Sequence, residues 1–362
     1  MNIRDELEKR KLPGILLMNN GEAVTEKNWA ERKKELLDIL SLNLFGFTPK
    51  APMNVCGKDI QKNRYKMFGG KAETECKMIE FDTPKGKYSF PVEITVPKKA
   101  EKPPVILYLS FGPGYPVPEE EIIDRGFALV TVDYKDITPD SVFGDFKGGL
   151  AGHFIGDRDR TLTEWGLVGI WAYGASRIMD YLIARDDLNT KRIAVAGHSR
   201  LGKTALWTRA QDDRFFMAYG NNSNYGGCGV IRVHKGEDIS DFIKIGSYNF
   251  FCEKFKTFLD TPHAELPYDM HYLMACQAPG YAFVTGATED DGMDPFSEFL
   301  SLTDASRVYE LLGRNGLIHN GKMVKAGEAL TDGDLGFYVR EGRHFMSRED
   351  WNVFMDFFER KL

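Results

Sequence analysis

The sequence predicts an α/β fold in which a mostly parallel, twisted sheet is covered by helices on both faces, as a three-layer sandwich. Short apolar runs of strand length alternate along the chain with longer segments whose apolar residues recur at helical spacing. The 362 residues are 43% hydrophobic, which is enough to enclose one large core. We therefore expect a single domain over residues 1–362, with residues 1–60 as a helical extension packed on it.

The predicted elements follow one another in the order that such a sheet requires. Residues 25–45 form an amphipathic helix that places Trp29, Leu36 and Leu40 on one face and ends near Gly46. Residues 65–96 consist of short alternating segments and predict antiparallel strands at the sheet edge. The remaining predictions are strands at 105–109, 127–132, 192–197 and 281–285, and helices at 164–183, after residue 199, at 296–312 and at 348–361.

Charge and composition exclude several classes of partner. The net charge is −6, and no stripe of basic residues is interleaved with aromatic ones, so nucleic acids and anionic membranes are not expected partners. The chain begins with a charged amphipathic segment, and no apolar run approaches the roughly 20 residues of a spanning helix. Five cysteines without metal-type spacing indicate reduced thiols. We expect a cytoplasmic protein that uses no metal and no organic cofactor; the alternative is a mature secreted form whose signal peptide has been removed, which would look similar.

Residues 192–204, Arg-Ile-Ala-Val-Ala-Gly-His-Ser-Arg-Leu-Gly-Lys-Thr, carry the main chemical signal. An apolar strand stops at Gly197, and a helix begins almost at once, with Ser199 at the tip of the turn. This arrangement is typical of the nucleophile elbow of the α/β-hydrolase fold, which exposes a serine beside free helix N–H groups. The pattern departs from G-x-S-x-G, because Leu201 precedes Gly202. The alternative is a serine that caps the helix of an ordinary strand-to-helix loop.

A serine nucleophile needs a base, and the α/β-hydrolase chain order places that histidine after the serine and the acid. The candidates are His263, His271, His319 and His344. His344 lies in a glycine-containing loop just before the last helix, which is where this fold places its base. His271 lies in an apolar stretch and is better interpreted as a packing residue of a helix.

The acid is expected in the loop after the strand that ends at Gly286. Four carboxylates crowd this loop, and at least two of them must be solvated: Glu289, Asp290, Asp291 and Asp294. One of them can reach the imidazole Nδ1–H and hold its tautomer. Asp294 precedes Pro295 and has an alternative role as the cap of the following helix.

These motifs together resemble the glucuronoyl esterases of carbohydrate esterase family fifteen, especially bacterial members often labelled acetyl xylan esterase. The matching pieces run from about residue 25 to residue 362 and comprise Trp165-Gly with Trp171, Gly197-His-Ser-Arg-Leu-Gly-Lys, Asp213-Arg-Phe, Asn221-Asn-Ser, Lys235-Gly-Glu, Leu266-Pro-Tyr-Asp-Met-His, Glu289-Asp with Asp294-Pro and Glu298-Phe, and Gly342-Arg-His with Glu349-Asp-Trp.

The resemblance implies a Ser-His-acid hydrolase in which Ser199 is the nucleophile and His344 the base. It also implies that Arg200 stabilises the oxyanion, that Lys203 contacts uronate hydroxyls and that Glu237 is an acidic sugar contact. A guanidinium beside a nucleophile makes independent sense, because a fixed cation stabilises developing negative charge. We expect Asn222 to join the substrate-binding residues.

Two departures from the family pattern qualify this assignment. Many members carry the catalytic glutamate where this chain has Asn221, Asn222 and Ser223, so the acid should come from the alternative position that resembles Asp290, with Asp294 as runner-up. Members also often carry Trp-Ala-Asp-Pro where this chain has Gly292-Met293-Asp294-Pro295. The missing tryptophan removes a surface on which a sugar stacks.

The sequence thus favours a carboxylic ester hydrolase that acts through an acyl-serine intermediate on a small-molecule or oligosaccharide ester. A glucuronoyl esterase is the first hypothesis. An acetyl xylan or sugar acetyl esterase shares the same triad and needs only a small acyl pocket. The third is a catalytically idle carbohydrate-binding relative, against which the combination of Ser199, Arg200 and His344 argues. The sequence leaves the oligomeric state open.

Overall fold

The computed structural model describes residues 3–60, 65–140 and 145–362 and contains one mixed sheet of eleven strands over these residues. The sheet order is β1-β3-β4-β6-β5-β7-β8-β9-β11-β10, with β2 paired to β3. The strands are β1 (Val55–Asp59), β2 (Tyr65–Met67), β3 (Ala72–Thr83), β4 (Gly86–Pro97), β5 (Val105–Ser110), β6 (Ala128–Asp133), β7 (Ile193–His198), β8 (Met217–Asn221), β9 (Tyr281–Ala287), β10 (Ala329–Leu330) and β11 (Leu335–Arg340).

Helices connect these strands and cover both faces of the sheet. They are α1 (Ile3–Arg10), α2 (Trp29–Leu40), α3 (Glu119–Asp124), α4 (Tyr134–Ile137), α5 (Gly149–Phe154), α6 (Leu167–Leu182), α7 (Arg200–Gln211), α8 (Ile239–Lys244), α9 (His271–Ala275), α10 (Pro295–Leu311) and α11 (Arg348–Glu359). None of the helices in the described ranges is long and apolar enough to cross a lipid bilayer.

The core lies on both sides of the sheet because successive strand residues point to opposite faces. Along β7, Val195 belongs to the larger cluster, which also holds apolar residues of α6, α7 and α10. Its neighbours Ala194 and Ala196 belong to the smaller cluster, which α3 and α11 cover. This helix-sheet-helix layering confirms the predicted α/β-hydrolase class, and the antiparallel pairing of β3 with β4 confirms the predicted edge.

Two strands that position the site were not predicted. β8 pairs in parallel with β7 and β9, and β11 pairs in parallel with β9. Both strands are short, and each contains a glycine that interrupts the apolar run, Gly220 and Gly336. The Gly220 Cα packs against the Leu206 side chain, where a Cβ would lie 2.8 Å from the nearest leucine carbon. The glycines thus serve close packing rather than marking turns.

The amino-terminal segment is tied to the body by buried polar contacts, and its first two residues lie outside the described ranges. The Arg32 guanidinium donates to the carbonyls of Ile15 and Gly14 over 3.1 and 2.8 Å. His271 Nε2 donates to the Pro13 carbonyl over 2.8 Å, which gives this histidine the packing role that the sequence predicts. Residues 1–60 were expected to be a helical extension, but the last of them form the edge strand β1, which pairs with β3.

Candidate active site

Ser199 occupies a sharp turn between β7 and α7. Its backbone has φ 56° and ψ −126°, a conformation that residues with a Cβ rarely adopt. Strain of this kind costs on the order of 1–3 kcal/mol and is concentrated at functional sites. The Ser199 N–H donates to the Asn221 carbonyl over 2.8 Å, and the Lys203 N–H donates to the Ser199 carbonyl over 3.1 Å. The turn therefore has the strand, strained serine and helix of a nucleophile elbow.

The unusual glycine spacing around Ser199 follows from how α7 packs. A Cβ at Gly197 would collide with the Leu201 carbonyl, and a Cβ at Gly202 would lie 3.0 Å from the Asn221 carbonyl oxygen. Leu201, which stands where G-x-S-x-G has its second glycine, is fully buried in the core. In this chain the helix approaches the neighbouring strand most closely at Gly202 rather than at position 201, so the glycine is needed one residue later than in G-x-S-x-G.

His344 and Asp290 form a hydrogen-bonded pair at the same edge of the sheet. His344 Nδ1–H donates to Asp290 Oδ2 over 2.6 Å, and the side chains are 38% and 5% exposed. Burial by itself raises the pKa of Asp290, but the hydrogen bond and charge of His344 and the hydrogen bond from Asn222 outweigh it and lower this pKa. Asp290 is therefore a carboxylate at neutral pH. It keeps the proton on Nδ1 and leaves Nε2 as the basic nitrogen.

The loops that carry this pair are joined beyond the ends of their strands. The Thr288 N–H donates to the Arg340 carbonyl over 3.0 Å, and the Glu289 N–H donates to the Gly342 carbonyl over 2.9 Å. The Arg340 side chain is buried, donates to Asp350 over 2.7 Å and also donates to the Arg343 carbonyl over 2.7 Å. Backbone hydrogen bonds and the buried Arg340 thus hold the loop after β11, which carries His344, against residues 288–294, the acid loop, which carries Asp290.

Asn222 does not have the surroundings expected of a substrate contact. Its side chain is fully buried, and its Nδ2 donates to Asp290 Oδ2 over 2.6 Å, the same oxygen that accepts from His344. Its N–H donates to the Thr285 carbonyl over 2.7 Å. The expectation of substrate binding is therefore corrected, because the amide lies behind the acid and stabilises its charge.

The structure separates the other carboxylates of the acid loop by role. Glu289 and Asp291 are exposed. Asp294 caps α10, where it accepts from the Ser297 N–H over 3.2 Å and from the Ser297 hydroxyl over 2.5 Å. It also accepts from the Lys235 N–H over 3.0 Å. Asp290 is the member of this loop that contacts the imidazole of His344, and Asp294 has the capping role that Pro295 suggests.

Arg200 and Lys203 begin α7 but differ in their surroundings. Arg200 is 31% exposed, and its guanidinium contacts the Asp140 carboxylate and lies over the Phe250 ring at 4.7 Å from the centroid. Lys203 is only 1% exposed, and its ammonium donates to the Ser223 carbonyl over 2.9 Å and to Glu237 over 3.2 Å. Glu237 is partly exposed, so this pair reaches the surface through its acidic member.

His198 and Tyr115 stack on each other beside His344, and the sequence predicted no role for either residue. The His198 ring lies 4.5 Å from the His344 ring and stacks on Tyr115 at 5.5 Å, and its Nδ1 donates to the Asn221 side-chain oxygen. Burial and the nearby His344 lower the pKa of His198 to about 3. His198 is therefore uncharged at neutral pH. The only sequence signal that could have placed it in the site is its position directly before Ser199.

Ser199 and His344 flank His198, yet no hydrogen bond joins their side chains within the described residues. Such catalytic contacts are commonly long until a substrate aligns them. The first backbone N–H of α7, that of Arg200, lies beside the serine, where an oxyanion would form. In the same ranges no group of three or more histidine, cysteine, aspartate or glutamate side chains is arranged to hold a metal ion.

The sequence model of a family described as "Glucuronyl esterase, fungi" matches residues 79–313. The chain belongs to the glucuronyl esterase family. It is therefore a carboxylic ester hydrolase of the carbohydrate esterase type. A carbohydrate esterase named MZ0003, from an unknown prokaryotic organism, is 29% identical over 97% of this chain and 90% of that protein. A 4-O-methyl-glucuronoyl methylesterase of Podospora anserina is 25% identical over 82% of this chain and 59% of that protein.

Solved structures of the family have the same fold as this glucuronyl esterase. A glucuronoyl esterase from Solibacter usitatus superposes with a TM-score of 0.85 at 31% identity and covers 96% of this chain and 97% of that one. A glucuronoyl esterase from Teredinibacter turnerae T7901 superposes with a TM-score of 0.88 at 25% identity and covers 97% of this chain and 89% of that one. The predicted family resemblance is confirmed.

Glu298 is a further buried group behind the acid loop of this esterase. It lies on α10, is fully buried, and accepts from the Asn224 N–H over 3.2 Å. The Asn224 side chain in turn donates to the Gly292 carbonyl over 3.2 Å, in the loop that carries Asp290. Burial, together with the nearby carboxylates of Asp294 and Asp290, raises the pKa of Glu298 to about 8. Glu298 is therefore a neutral acid at physiological pH.

We expect Asp290→Asn to lower kcat by about a hundredfold or more with little change in stability, because the amide no longer stabilises the imidazolium. Asp294→Asn should lower the free energy of unfolding by about 1 kcal/mol, because the amide oxygen can still cap α10 but the amide nitrogen cannot accept from the Lys235 N–H, and the effect on kcat should be smaller. Steady-state kinetics and urea denaturation of both variants check this. Loss of activity confined to Asp294→Asn would reassign the acid.

The buried Glu298 predicts a fall in stability as pH rises. Unfolded glutamate titrates near pH 4.3, so between about pH 4.3 and pH 8 the folded chain holds one proton more than the unfolded chain. The free energy of unfolding should therefore decrease by up to about 1.4 kcal/mol per pH unit across this window. Glu298→Gln should remove this part of the slope in denaturation measured from pH 5 to pH 8, and exposed Glu289→Gln should not. Identical slopes for Glu298→Gln and the wild type would contradict the assignment.

Proposed function

We propose that this chain hydrolyses the carboxylic ester of a uronic acid in a carbohydrate, through a covalent acyl-Ser199 intermediate. The observation that carries the proposal is the 2.6 Å hydrogen bond between His344 and Asp290, at the same sheet edge as the strained Ser199 turn. A base held by a buried carboxylate beside a partly exposed, strained serine is the arrangement that acyl transfer requires.

The reaction follows from the protons that these groups hold. His344 Nε2 takes the hydroxyl proton as Ser199 Oγ attacks the ester carbonyl carbon, and the carbonyl π electrons move onto oxygen. The Arg200 N–H and guanidinium stabilise this oxyanion. When the carbonyl re-forms, the carbon–oxygen bond to the alcohol breaks, and the imidazolium gives that alcohol its proton. Water, deprotonated by His344, then attacks the acyl carbon. The bond from that carbon to Ser199 Oγ breaks, and the imidazolium returns a proton to Oγ as the uronate leaves.

The substrate class rests on the relatives and on one charged pair. Several relatives are named 4-O-methyl-glucuronoyl methylesterases, which act on a uronate ester. In this chain the buried Lys203, which lies one helical turn after Ser199, pairs with the partly exposed Glu237. The buried ammonium fixes this carboxylate, which can accept hydrogen bonds from the hydroxyl groups of a sugar.

A sugar acetyl esterase is the second candidate, and one observation favours it. The loop residues Gly292 and Met293 provide no aromatic ring, and Met293 is itself buried. A small acyl group needs no stacking surface, whereas a sugar ring gains from one. The two candidates share the serine, the histidine and the acid, so only the acyl group that is accepted separates them.

Ser199→Ala should abolish hydrolysis of benzyl glucuronate, because no covalent route remains, while the melting temperature stays within a few degrees of the wild type. Ser89→Ala on β4 is the matched control and should leave turnover unchanged. Wild-type turnover by a folded Ser199→Ala variant would end the serine hydrolase proposal.

Lys203→Met should raise KM for benzyl glucuronate by about tenfold or more and leave KM for 4-nitrophenyl acetate nearly unchanged. Methionine replaces the buried stem but removes the ammonium that fixes Glu237, the partly exposed carboxylate that would bind the uronate hydroxyls. Lys235→Met, on the same segment as Glu237, is the control for loss of one positive charge. Equal changes in KM for the two substrates would exclude the uronate and leave the acetyl candidate.

A further inference from the structure

The side chain of Arg200, the residue after Ser199, is fixed by a buried carboxylate and two aromatic rings. Its guanidinium contacts the Asp140 carboxylate, lies 4.7 Å from the centroid of Phe250 and 5.9 Å from that of Phe111. Asp140 and Arg200 are 60 positions apart in the chain. The Asp140 side chain is only 8% exposed, so its charge is buried next to a partly exposed cation.

The carboxylate of Asp140 is itself fixed from behind. The Tyr134 hydroxyl donates to Asp140 Oδ2 over 2.9 Å, the same oxygen that accepts from Arg200. The Tyr134 ring is buried and packs edge-on against Trp171, with 4.9 Å between ring centroids. Tyr134, Asp140 and Arg200 thus form a chain of contacts that runs from the core to the residue after the nucleophile.

The pairing leaves part of the hydrogen-bonding capacity unused. Within the described residues, the buried Arg200 Nε and the buried Asp140 Oδ1 have no hydrogen-bond partner. The guanidinium is therefore held through one N–H contact rather than through a bidentate fork, which would engage two donors at once. Asp140 fixes the position of the cation without engaging all of its donors.

We propose that Asp140, held by Tyr134, is a positioning residue that fixes Arg200 beside the oxyanion and limits the affinity of the site for the anionic product. This proposal rests on the proposed function, since it takes Ser199 as the nucleophile. A free arginine samples many rotamers, and fixing it beforehand removes that entropic cost from the transition state.

The second part follows from the change of charge during the reaction. The ester is neutral at its reacting carbonyl, whereas hydrolysis yields a carboxylate. An unpaired guanidinium would bind that carboxylate strongly and slow its release. The Asp140 carboxylate opposes this binding because it already neutralises part of the cation and repels a second anion. Both effects act through Arg200, and this separates them from a merely structural role.

The test compares Asp140→Asn in the wild-type background and in Arg200→Met. In the wild-type background we expect kcat for benzyl glucuronate to fall roughly tenfold and the inhibition constant of D-glucuronate to fall severalfold, since the freed guanidinium binds the product more tightly. In the Arg200→Met background, Asp140→Asn should change neither kcat nor the inhibition constant by more than about twofold, because the guanidinium through which Asp140 acts is absent. Asp136→Asn, an exposed carboxylate on α4, is the charge-matched control and should behave as wild type.

Tyr134→Phe provides a second variant should Asp140→Asn fail to fold, with a smaller fall in kcat that again disappears in Arg200→Met. An equal loss of kcat in both backgrounds, or weaker inhibition by D-glucuronate, would overturn the positioning role and leave a structural one. Unchanged kcat and inhibition in folded Asp140→Asn would also overturn it. Ser199→Ala, measured in parallel, separates the two proposals, because only an active Ser199→Ala variant contradicts the proposed function itself.

Discussion

Parallel pairing of four neighbouring strands fixes the relative positions of the residues in the site. β7, β8, β9 and β11 lie side by side, and their carboxyl ends meet at one edge of the sheet. Ser199, Asn222, Asp290 and His344 follow these four ends in order. A register slip of one residue would turn the strand side chains to the opposite face and separate the group. The geometry of the site is therefore set by main-chain hydrogen bonds of the sheet, and the loops add only a few residues to it.

The charged groups around Ser199 are mostly paired with opposite charges or kept neutral by burial. Asp290 is ionised and faces His344, whereas Glu298 behind it is neutral, so two neighbouring carboxyl groups do not repel each other. His198 stays neutral beside His344, which avoids a second positive charge next to the base. Each cation of α7 also has a carboxylate partner.

The sequence predicted the residues that the structure brings together at this sheet edge: the Ser199 turn and His344 from local patterns, and Asp290 from the family resemblance. The turn at Ser199 joins a buried strand to a helix, His344 precedes a capped helix, and the carboxylates follow a strand. Asp290 was distinguished from Asp294 partly because Pro295 marks a helix start, which is a local signal as well. The strands β8 and β11 were missed because glycine interrupts their short apolar runs.

Long-range contacts could not be read from the chain. Asn222 was expected at the substrate, but its amide lies behind Asp290, a contact between residues 68 positions apart. The partners of Lys203 and Arg200 likewise come from distant segments, and nothing in the sequence near Asp140 marks it as a neighbour of the nucleophile. Burial of a polar side chain depends on the packing of whole elements, so local patterns gave the residue types of the site but not all of their roles.

The central claim is that Ser199 is acylated during turnover with the help of His344 and Asp290. It is tested most directly by acid-quenching the enzyme during hydrolysis of benzyl glucuronate and identifying the acylated peptide by mass spectrometry. We expect one glucuronoyl adduct, on the peptide that contains Ser199, and we expect it to form at least a hundredfold more slowly in His344→Ala. Turnover with no adduct on Ser199 when slow deacylation is enforced at low pH, or an adduct on another residue, would contradict it.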